Sequence, residues 1–241
     1  MRAISIIYRR ELGAYLRSPF AWVIAALCLL VDGIFFQGWV MRGEQLSAIV
    51  LERYFYFSSG VAMFAGVLLS FRLLAEERQT GSMVLLNTSP VRDSEIVIGK
   101  FLAAATFLMI LLLLSIYMPL LIKVRGKITA TQIIVGYLGL FLLGSATLSI
   151  GMFASALTRN QMIAAISAAA MVIILVFLFQ FARALEGTVR DVLQELDMWW
   201  IHFQNGFMRG VLNLKDVVFY LAMTYFFLLL AVKTLEAKRW Q

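Results

Sequence analysis

The sequence is poor in charge, in proline and in cysteine. Charged residues make up 15% of its 241 positions and hydrophobic residues 62%, which does not describe a soluble domain. Three prolines and 16 glycines are too few for a disordered or collagen-like chain. The single cysteine, Cys28, lies in an apolar run, so the chain has no internal disulfide framework. These deficits predict an all-α protein that crosses a membrane several times.

Motifs of catalysis and of nucleotide or metal binding are also missing. The sequence has no HExxH, GxSxG or CxxC, and Gly99-Lys100 and Gly126-Lys127 both lack the other residues of a phosphate-binding loop. The only histidine, His202, stands in an aromatic cluster without companion ligands, which favours a packed or interfacial role. We therefore expect that the chain is not an enzyme by itself and binds no cofactor or metal.

Six apolar segments meet or approach the roughly 20 residues that a membrane-spanning helix needs. They are Phe20 to Val40, Phe55 to Leu74, Ile98 to Ile122, Ile133 to Leu157, Met162 to Ala182, and Val217 to Leu235. The fourth and fifth segments are rich in small residues, which allow close helix packing in lipid. We expect these two spans inside a bundle or at a subunit interface.

An even number of spans places both termini on one side of the membrane. Lys and Arg are slightly more frequent in the loops of that side, although Lys123, Arg125 and Lys127 oppose this trend locally. The positive-inside rule therefore predicts cytoplasmic termini. The net charge of +7 is scattered over loops, which suits phospholipid head groups better than nucleic acid.

Residues 1–18 mix apolar and basic side chains in a pattern that suits a helix lying along the membrane surface. An ordinary positive flank that orients the first span would use the same residues. Inside that span, Asp32 is a lone carboxylate, about 18 Å along the helix from Phe20. Such a residue is a candidate for function. Because a proton relay would need further titratable residues in the spans, a structural role is favoured.

Two polar segments separate the spans most clearly. Residues 183–216 form the largest loop opposite the termini, with a helical apolar pattern followed by aromatic residues that suit an interfacial or short re-entrant helix. Its candidate contacts with a partner are Trp199, Trp200, Phe203 and Phe207. Residues 75–97 form the other segment, which is far longer than the two to eight residues that usually join helices in a bundle.

The second segment has its own internal pattern. Ser82 to Leu86 predicts a short helix with an apolar face, and Asp93 or Ser94 is the predicted N-cap of the next span. A short amphipathic helix parallel to the membrane suits insertion into a groove of a partner. A solvated hairpin between two spans is the alternative.

The stretch EERQTGSMVLLNTSPVRDSEIVIGKF resembles the first cytoplasmic loop of ABC-2 type permeases, in which an acidic pair, TG, a leucine pair, SP and GK recur in this order. Three other stretches are similar to the gliding-motility branch of that family. They are RRELGAYLRSPFAWVI, HFQNGFMRGVLNLKDVVFY and KTLEAKRW. The resemblance covers nearly the whole chain.

The resemblance implies one transmembrane domain over residues 1–241 of a subunit in the bacterial inner membrane. Two permease chains, identical or different, would form the transport path, and two ATPase subunits would carry ATP and Mg. A coupling helix would contact the ATPase through Glu76, Glu77, Gly81, Met83, Leu85, Leu86, Ser89 and Pro90. The alternative is a scaffold that does not transport and that transmits ATP-driven motion to an extracytoplasmic partner, such as an auxiliary membrane protein.

Overall fold

The computed structural model describes residues 2–42, 46–79 and 91–239, and within these ranges it contains helices but no strands. The α-helices, numbered here in chain order, are α1 Arg2–Arg17, α2 Pro19–Phe35, α3 Ser47–Ser70, α4 Arg72–Gln79, α5 Asp93–Leu114, α6 Tyr117–Arg125, α7 Ala130–Leu157, α8 Gln161–Ala182, α9 Thr188–Glu195 and α10 Leu214–Arg239. A π-helix, Phe36–Val40, continues α2, and a 3-10 helix covers Phe207–Arg209.

Six of the helical segments are long and apolar enough to cross a membrane. They are Pro19–Val40, Ser47–Glu77, Asp93–Val124, Ala130–Leu157, Gln161–Ala182 and Leu214–Lys238. The predicted all-α, six-span class is confirmed. The second segment begins eight residues before the predicted Phe55, because Glu52 and Arg53 interrupt the apolar run without ending the helix.

The third span has a break and an N-terminus that sequence patterns placed imperfectly. The break falls at Ser115 and Ile116, where Pro119 cannot donate a backbone hydrogen bond to the Ser115 carbonyl. The N-cap is Arg92, one residue before the predicted Asp93 and two residues before the predicted Ser94. Glu95 accepts a hydrogen bond from the Arg92 N–H at 3.1 Å, so an acidic residue in the first turn secures this end.

Helix α7 lies at the centre of the bundle, because 78% of its apolar 18-residue stretch is buried. Its small residues let neighbouring helices approach: a Cβ on Gly66 would come within 2.9 Å of the Gly144 carbonyl, and one on Gly144 within 2.8 Å of Leu108. These contacts agree with the close packing expected for the fourth span. The fifth span is different, because only 22% of its apolar 18-residue stretch is buried and its large residues face outward.

Helix α1 packs against α5 on the side of the membrane where both termini lie, here called the terminus side. Ile7 is buried, and a Cβ on Gly99 would come within 2.9 Å of Ile7 Cγ2. The Tyr15 hydroxyl donates a hydrogen bond to the Leu69 carbonyl at 2.8 Å, and the Tyr15 ring stacks on Phe107. Helix α1 is therefore fixed to both the second and the third spans.

Candidate functional site

A buried lysine lies at the centre of a charge network on the terminus side. Lys100, near the start of α5, is only 2% exposed. Its Nζ lies 2.9 Å from Glu77 Oε1 on α4 and 3.1 Å from Glu11 Oε1 on α1. Arg10 Nη2 lies 2.7 Å from Glu11 Oε1 and 3.5 Å from Glu77 Oε1. Two cations thus face two carboxylates, and the four residues join three helices.

The network keeps Glu11 ionised. Burial raises the pKa of the Glu11 carboxyl. The charge of Lys100 and hydrogen bonds from Arg10 and Lys100 lower it by more than burial raises it, so the pKa lies below its ordinary value. At neutral pH the carboxylate is charged and matches the ammonium of Lys100. Since a buried charge without a partner is strongly destabilising, the three helices depend on one another here.

The adjacent carboxylate, Glu76, makes a separate pair. Arg72 donates to it through Nε at 3.0 Å and Nη2 at 2.6 Å, and the Arg72 guanidinium lies 4.7 Å from the centre of the Phe20 ring. Phe20 belongs to the first turn of α2. Glu76 and Glu77 therefore connect α4 to different neighbours, one toward the first span and the other toward α1 and the third span.

These two acidic residues are the described members of the predicted ATPase-contact set. The other members are Gly81, Met83, Leu85, Leu86, Ser89 and Pro90, which lie outside the described residues. Helix α4 ends at Gln79 and α5 begins at Asp93. The charge network thus lies at the base of the segment that the sequence predicts as the coupling element. Lys100 and Glu11 were not predicted to pair, because their separation in sequence gives no signal.

The base is also attached to the centre of the bundle. Where α3 gives way to α4, Ser155 Oγ of α7 accepts hydrogen bonds from the N–H groups of Leu74 at 3.1 Å and Ala75 at 2.8 Å. The same hydroxyl donates to the Phe71 carbonyl at 2.9 Å. One buried side chain therefore satisfies backbone groups at this helix junction.

Asp32 lies in a polar cluster inside the spans. It is 5% exposed and accepts a hydrogen bond from Ser58 Oγ at 3.0 Å. One turn away on α3, Tyr54 bonds to Ser115 and Tyr137, which also bond to each other. Within the described parts of the chain, no basic side chain lies at ion-pair distance from Asp32. The hydrogen bond from Ser58 to Asp32 joins the first two spans.

Two substitutions distinguish a structural role of Asp32 from a titrating role. Asp32→Asn keeps an acceptor for Ser58 and should change the free energy of unfolding by less than about 1 kcal/mol, whereas Asp32→Ala should lower it by about 2 kcal/mol. Both values can be measured by denaturation in mixed micelles. If Asp32→Asn abolished function in a fully stable protein, a titrating role would be established in place of the structural one.

The aromatic segment opposite the termini forms a packed cap. Phe203 and Phe207 are fully buried, and Phe207 fills the space beside Gly139 of α7. Trp199 donates from Nε1 to Ser59 Oγ at 2.8 Å, and Trp200 stacks on Phe179. The accessible aromatic surface predicted from the sequence is therefore reduced to Trp199 and Trp200. Phe203 and Phe207 serve the core instead.

Two acidic residues organise this cap. Burial raises the pKa of Asp197, whose carboxylate accepts N–H hydrogen bonds from Phe179, Trp199, Trp200 and Ile201. Asp216 Oδ1 lies 2.8 Å from His202 Nδ1, and His202 Nε2 lies 3.0 Å from the Glu195 carbonyl oxygen. His202 is thus a packed residue. Within residues 2–42, 46–79 and 91–239, no group of three or more His, Cys, Asp or Glu could hold a metal.

Six apolar helices with charged networks confined to their ends define a multi-pass membrane protein. Residues 5–235 match the family model described as ABC-2 family transporter protein, so the chain belongs to this family. No curated protein matches the chain significantly. Membership makes the chain a transmembrane permease subunit that is not itself catalytic, and such permeases generally work with an ABC ATPase. The gliding-motility branch stays a prediction.

Proposed function

We propose that this chain couples ATP hydrolysis by a separate ATPase to substrate export or conformational work across the bacterial inner membrane. Two permease chains, identical or different, act with two ATPase subunits on the cytoplasmic side, where both termini lie. The observation that carries this proposal is the Lys100 network. It connects the base of the predicted coupling segment to α1, α4 and α5 through buried ion pairs.

A push on segment 80–90 would reach the centre of the bundle through short, packed connections. Glu77 transfers displacement of α4 to α1 and α5, and Ser155 transfers it to α7. Helix α7 contacts the second span through Gly66 and Gly144, so it cannot shift without moving that span. The ATPase thus shifts the population between two packings of the bundle, and the chain itself performs no bond chemistry.

The exposed faces of three spans support assembly with a second permease chain. Only 28% of the apolar 18-residue stretch is buried in the first span, 22% in the fifth and 17% in the last. A small apolar set on the first span, including Val23, Leu27 and Leu30, is exposed. Lipid covers part of these faces, and the partner chain covers the rest.

Reconstitution tests the proposed function directly. The chain, its ATPase and their complex are incorporated separately into vesicles, and ATP turnover is measured in each. We expect turnover in the complex to respond to the presence of the permease, and no hydrolysis by the permease alone. Appreciable hydrolysis by this chain without a partner would contradict the proposal.

The Ser155 hydroxyl gives a prediction about transmission. Ser155→Ala should leave the Leu74 and Ala75 N–H groups without their acceptor, lower the free energy of unfolding by about 2 kcal/mol and weaken the response of ATPase turnover to the permease. Ser149→Ala is the matched control, because Ser149 is equally buried but, among the described residues, its hydroxyl bonds only to the Ala146 carbonyl of its own helix. Equal effects of the two variants would exclude Ser155 as a transmitting contact.

A scaffold driven by the ATPase is the second candidate function. It is favoured by an apolar stripe in and beside α9, formed by Leu185, Val189, Val192 and Leu196, each of which is more than 40% exposed. The cap bonded to Asp197 holds this stripe in place, as a site for an extracytoplasmic partner requires. ATP turnover in vesicles without movement of solute or lipid, together with partner binding at the stripe, would favour the scaffold over the transporter.

A further inference from the structure

His202 joins the end of α9 to the start of α10 in the cap opposite the termini. The residue is only 1% exposed. Its Nδ1 lies 2.8 Å from Oδ1 of Asp216 in the first turn of α10, and its Nε2 lies 3.0 Å from the carbonyl oxygen of Glu195, the last residue of α9. The ring stacks on Phe219, with 3.7 Å between the ring centres. Both ring nitrogens and one ring face are therefore held in place.

Both partners of the ring nitrogens are acceptors. A backbone carbonyl has no hydrogen to donate, and neither does an ionised carboxylate. The other oxygen of Asp216 accepts a further hydrogen bond, from Asn213 Nδ2 at 3.1 Å. A neutral imidazole donates from one nitrogen and accepts at the other, so it cannot satisfy both of its contacts here. The pair of His202 and Asp216 must therefore hold one proton more than a neutral imidazole beside a carboxylate.

That proton belongs on the ring of His202. Imidazole is a stronger base than carboxylate, since free histidine titrates near pH 6.5 and free aspartic acid near pH 3.9. With the proton on the ring, each nitrogen donates one hydrogen bond, and the imidazolium faces the opposite charge of Asp216.

The other charged and titratable groups around the ring have partners of their own. The Glu195 side chain pairs with Lys215 at 2.7 Å on the exposed surface, and this contact lowers the pKa of Glu195. Asp197 accepts hydrogen bonds from four backbone N–H groups. The Tyr220 hydroxyl donates to a backbone carbonyl at 2.7 Å. Among the described residues, Asp216 is therefore the charged group that faces the ring.

We propose that His202 is an imidazolium in the folded protein and forms a proton-dependent link between α9 and α10. The link is closed when Nδ1 donates to Asp216 and Nε2 donates to the Glu195 carbonyl. When the ring gives one proton to water, it keeps the hydrogen bond to the carboxylate, which is the stronger of the two. Nε2 then presents a lone pair to the Glu195 carbonyl, so this contact opens and releases the end of α9.

Raising the pH opens the link, because closing it binds a proton that a released histidine would lose near pH 6.5. The contact is complete below about pH 6.5 and is lost at higher pH, where the proton leaves the ring. Helix α9 carries part of the apolar stripe formed by Leu185, Val189, Val192 and Leu196, so the link controls how firmly this surface is held. The inference rests on the geometry of the cap and not on the proposed function.

Nitrogen NMR tests the protonation of the ring. Because His202 is the only histidine in the chain, ring-labelled histidine in the full chain in nanodiscs reports on this residue alone. An imidazolium gives two nitrogen signals close together, whereas a neutral ring gives two that are widely separated. At about pH 7 we expect the imidazolium signals in the wild-type chain. A neutral ring there would overturn the proposal.

Asp216→Asn is the variant that removes the proton without removing the contacts. The new amide can donate to Nδ1 of His202 while Nε2 still donates to the Glu195 carbonyl, so a neutral ring satisfies both partners. We therefore expect the signals of a neutral ring at about pH 7 in this variant. Imidazolium signals that persist in Asp216→Asn would contradict the assignment of the proton to this pair.

Hydrogen exchange tests the link itself. Amide protection of residues 188–196 is compared at about pH 6 and about pH 9, on either side of the ordinary range of histidine, after correction for the intrinsic effect of pH on exchange. We expect protection in the wild-type chain to fall about tenfold at the higher pH, and protection in Asp216→Asn to stay constant. Lys215→Gln is the matched control, because it removes an exposed contact between the same two helices and should keep the wild-type pH dependence. Wild-type protection that does not change with pH, or an equal change in Asp216→Asn, would overturn the proposal.

Discussion

Lys100→Met is expected to lower the free energy of unfolding by about 3 kcal/mol and to abolish the response of ATPase turnover to the permease. The substitution keeps most of the side-chain volume but leaves Glu11 and Glu77 without their shared ammonium in a buried site. Removing one partner of a buried ion pair is costly because the remaining charge stays desolvated. Denaturation in mixed micelles and turnover in vesicles provide the two measurements.

A triple variant separates stability from transmission. Lys100→Met combined with Glu11→Gln and Glu77→Gln also removes the two carboxylate charges that faced the ammonium of Lys100, so most of the lost stability should return. The ionic connection between α1, α4 and α5 stays broken, and the response of ATPase turnover should therefore remain lost. Recovery of both properties would show that the network only stabilises the fold.

A surface ion pair is the matched control for the charge change. Lys233 pairs with Glu236 at 2.7 Å on α10, and both side chains are well exposed. Lys233→Met should change the free energy of unfolding by less than about 1 kcal/mol, because water and salt screen the pair. A loss as large as that of Lys100→Met would mean that burial does not determine the effect.

The spans were predictable because a bilayer imposes length and hydropathy on any helix that crosses it. The apolar pattern did not predict where helices continue beyond the hydrocarbon core of the membrane. The second span, for example, begins at Ser47 and includes Glu52 and Arg53. The close packing of α7 was also predictable from the sequence, because glycine and serine in a span leave room for a neighbouring backbone.

The site was less predictable because its contacts join residues that are distant in sequence. Lys100 is 89 positions from Glu11, and no local pattern signals that an ion pair connects them. Aromatic residues gave a misleading signal near the cap, since a belt at the interface and a buried core use the same side chains. Phe207 belongs to the core because its ring fills the space beside Gly139, a contact that the sequence does not signal.

Leu86→Asp is expected to weaken binding of the ATPase by about 30-fold or more while leaving the six-span fold inserted. The sequence pattern predicts that Leu86 lies on the apolar face of a short helix, and the resemblance to ABC-2 permeases implies that this helix contacts the ATPase. A carboxylate there would have to be buried without a partner, and truncation of a central contact alone commonly costs at least about 2 kcal/mol. Copurification of the ATPase with the tagged permease, quantified against the wild-type chain, measures this loss.

Leu46→Asp shows whether the loss belongs to the coupling segment. Leu46 is 75% exposed at the start of α3, on the side opposite the termini, so its replacement adds the same charge far from the proposed contact. This control should copurify with the ATPase at the wild-type level. If Leu86→Asp did so as well, the contact would have to lie outside the leucine pair.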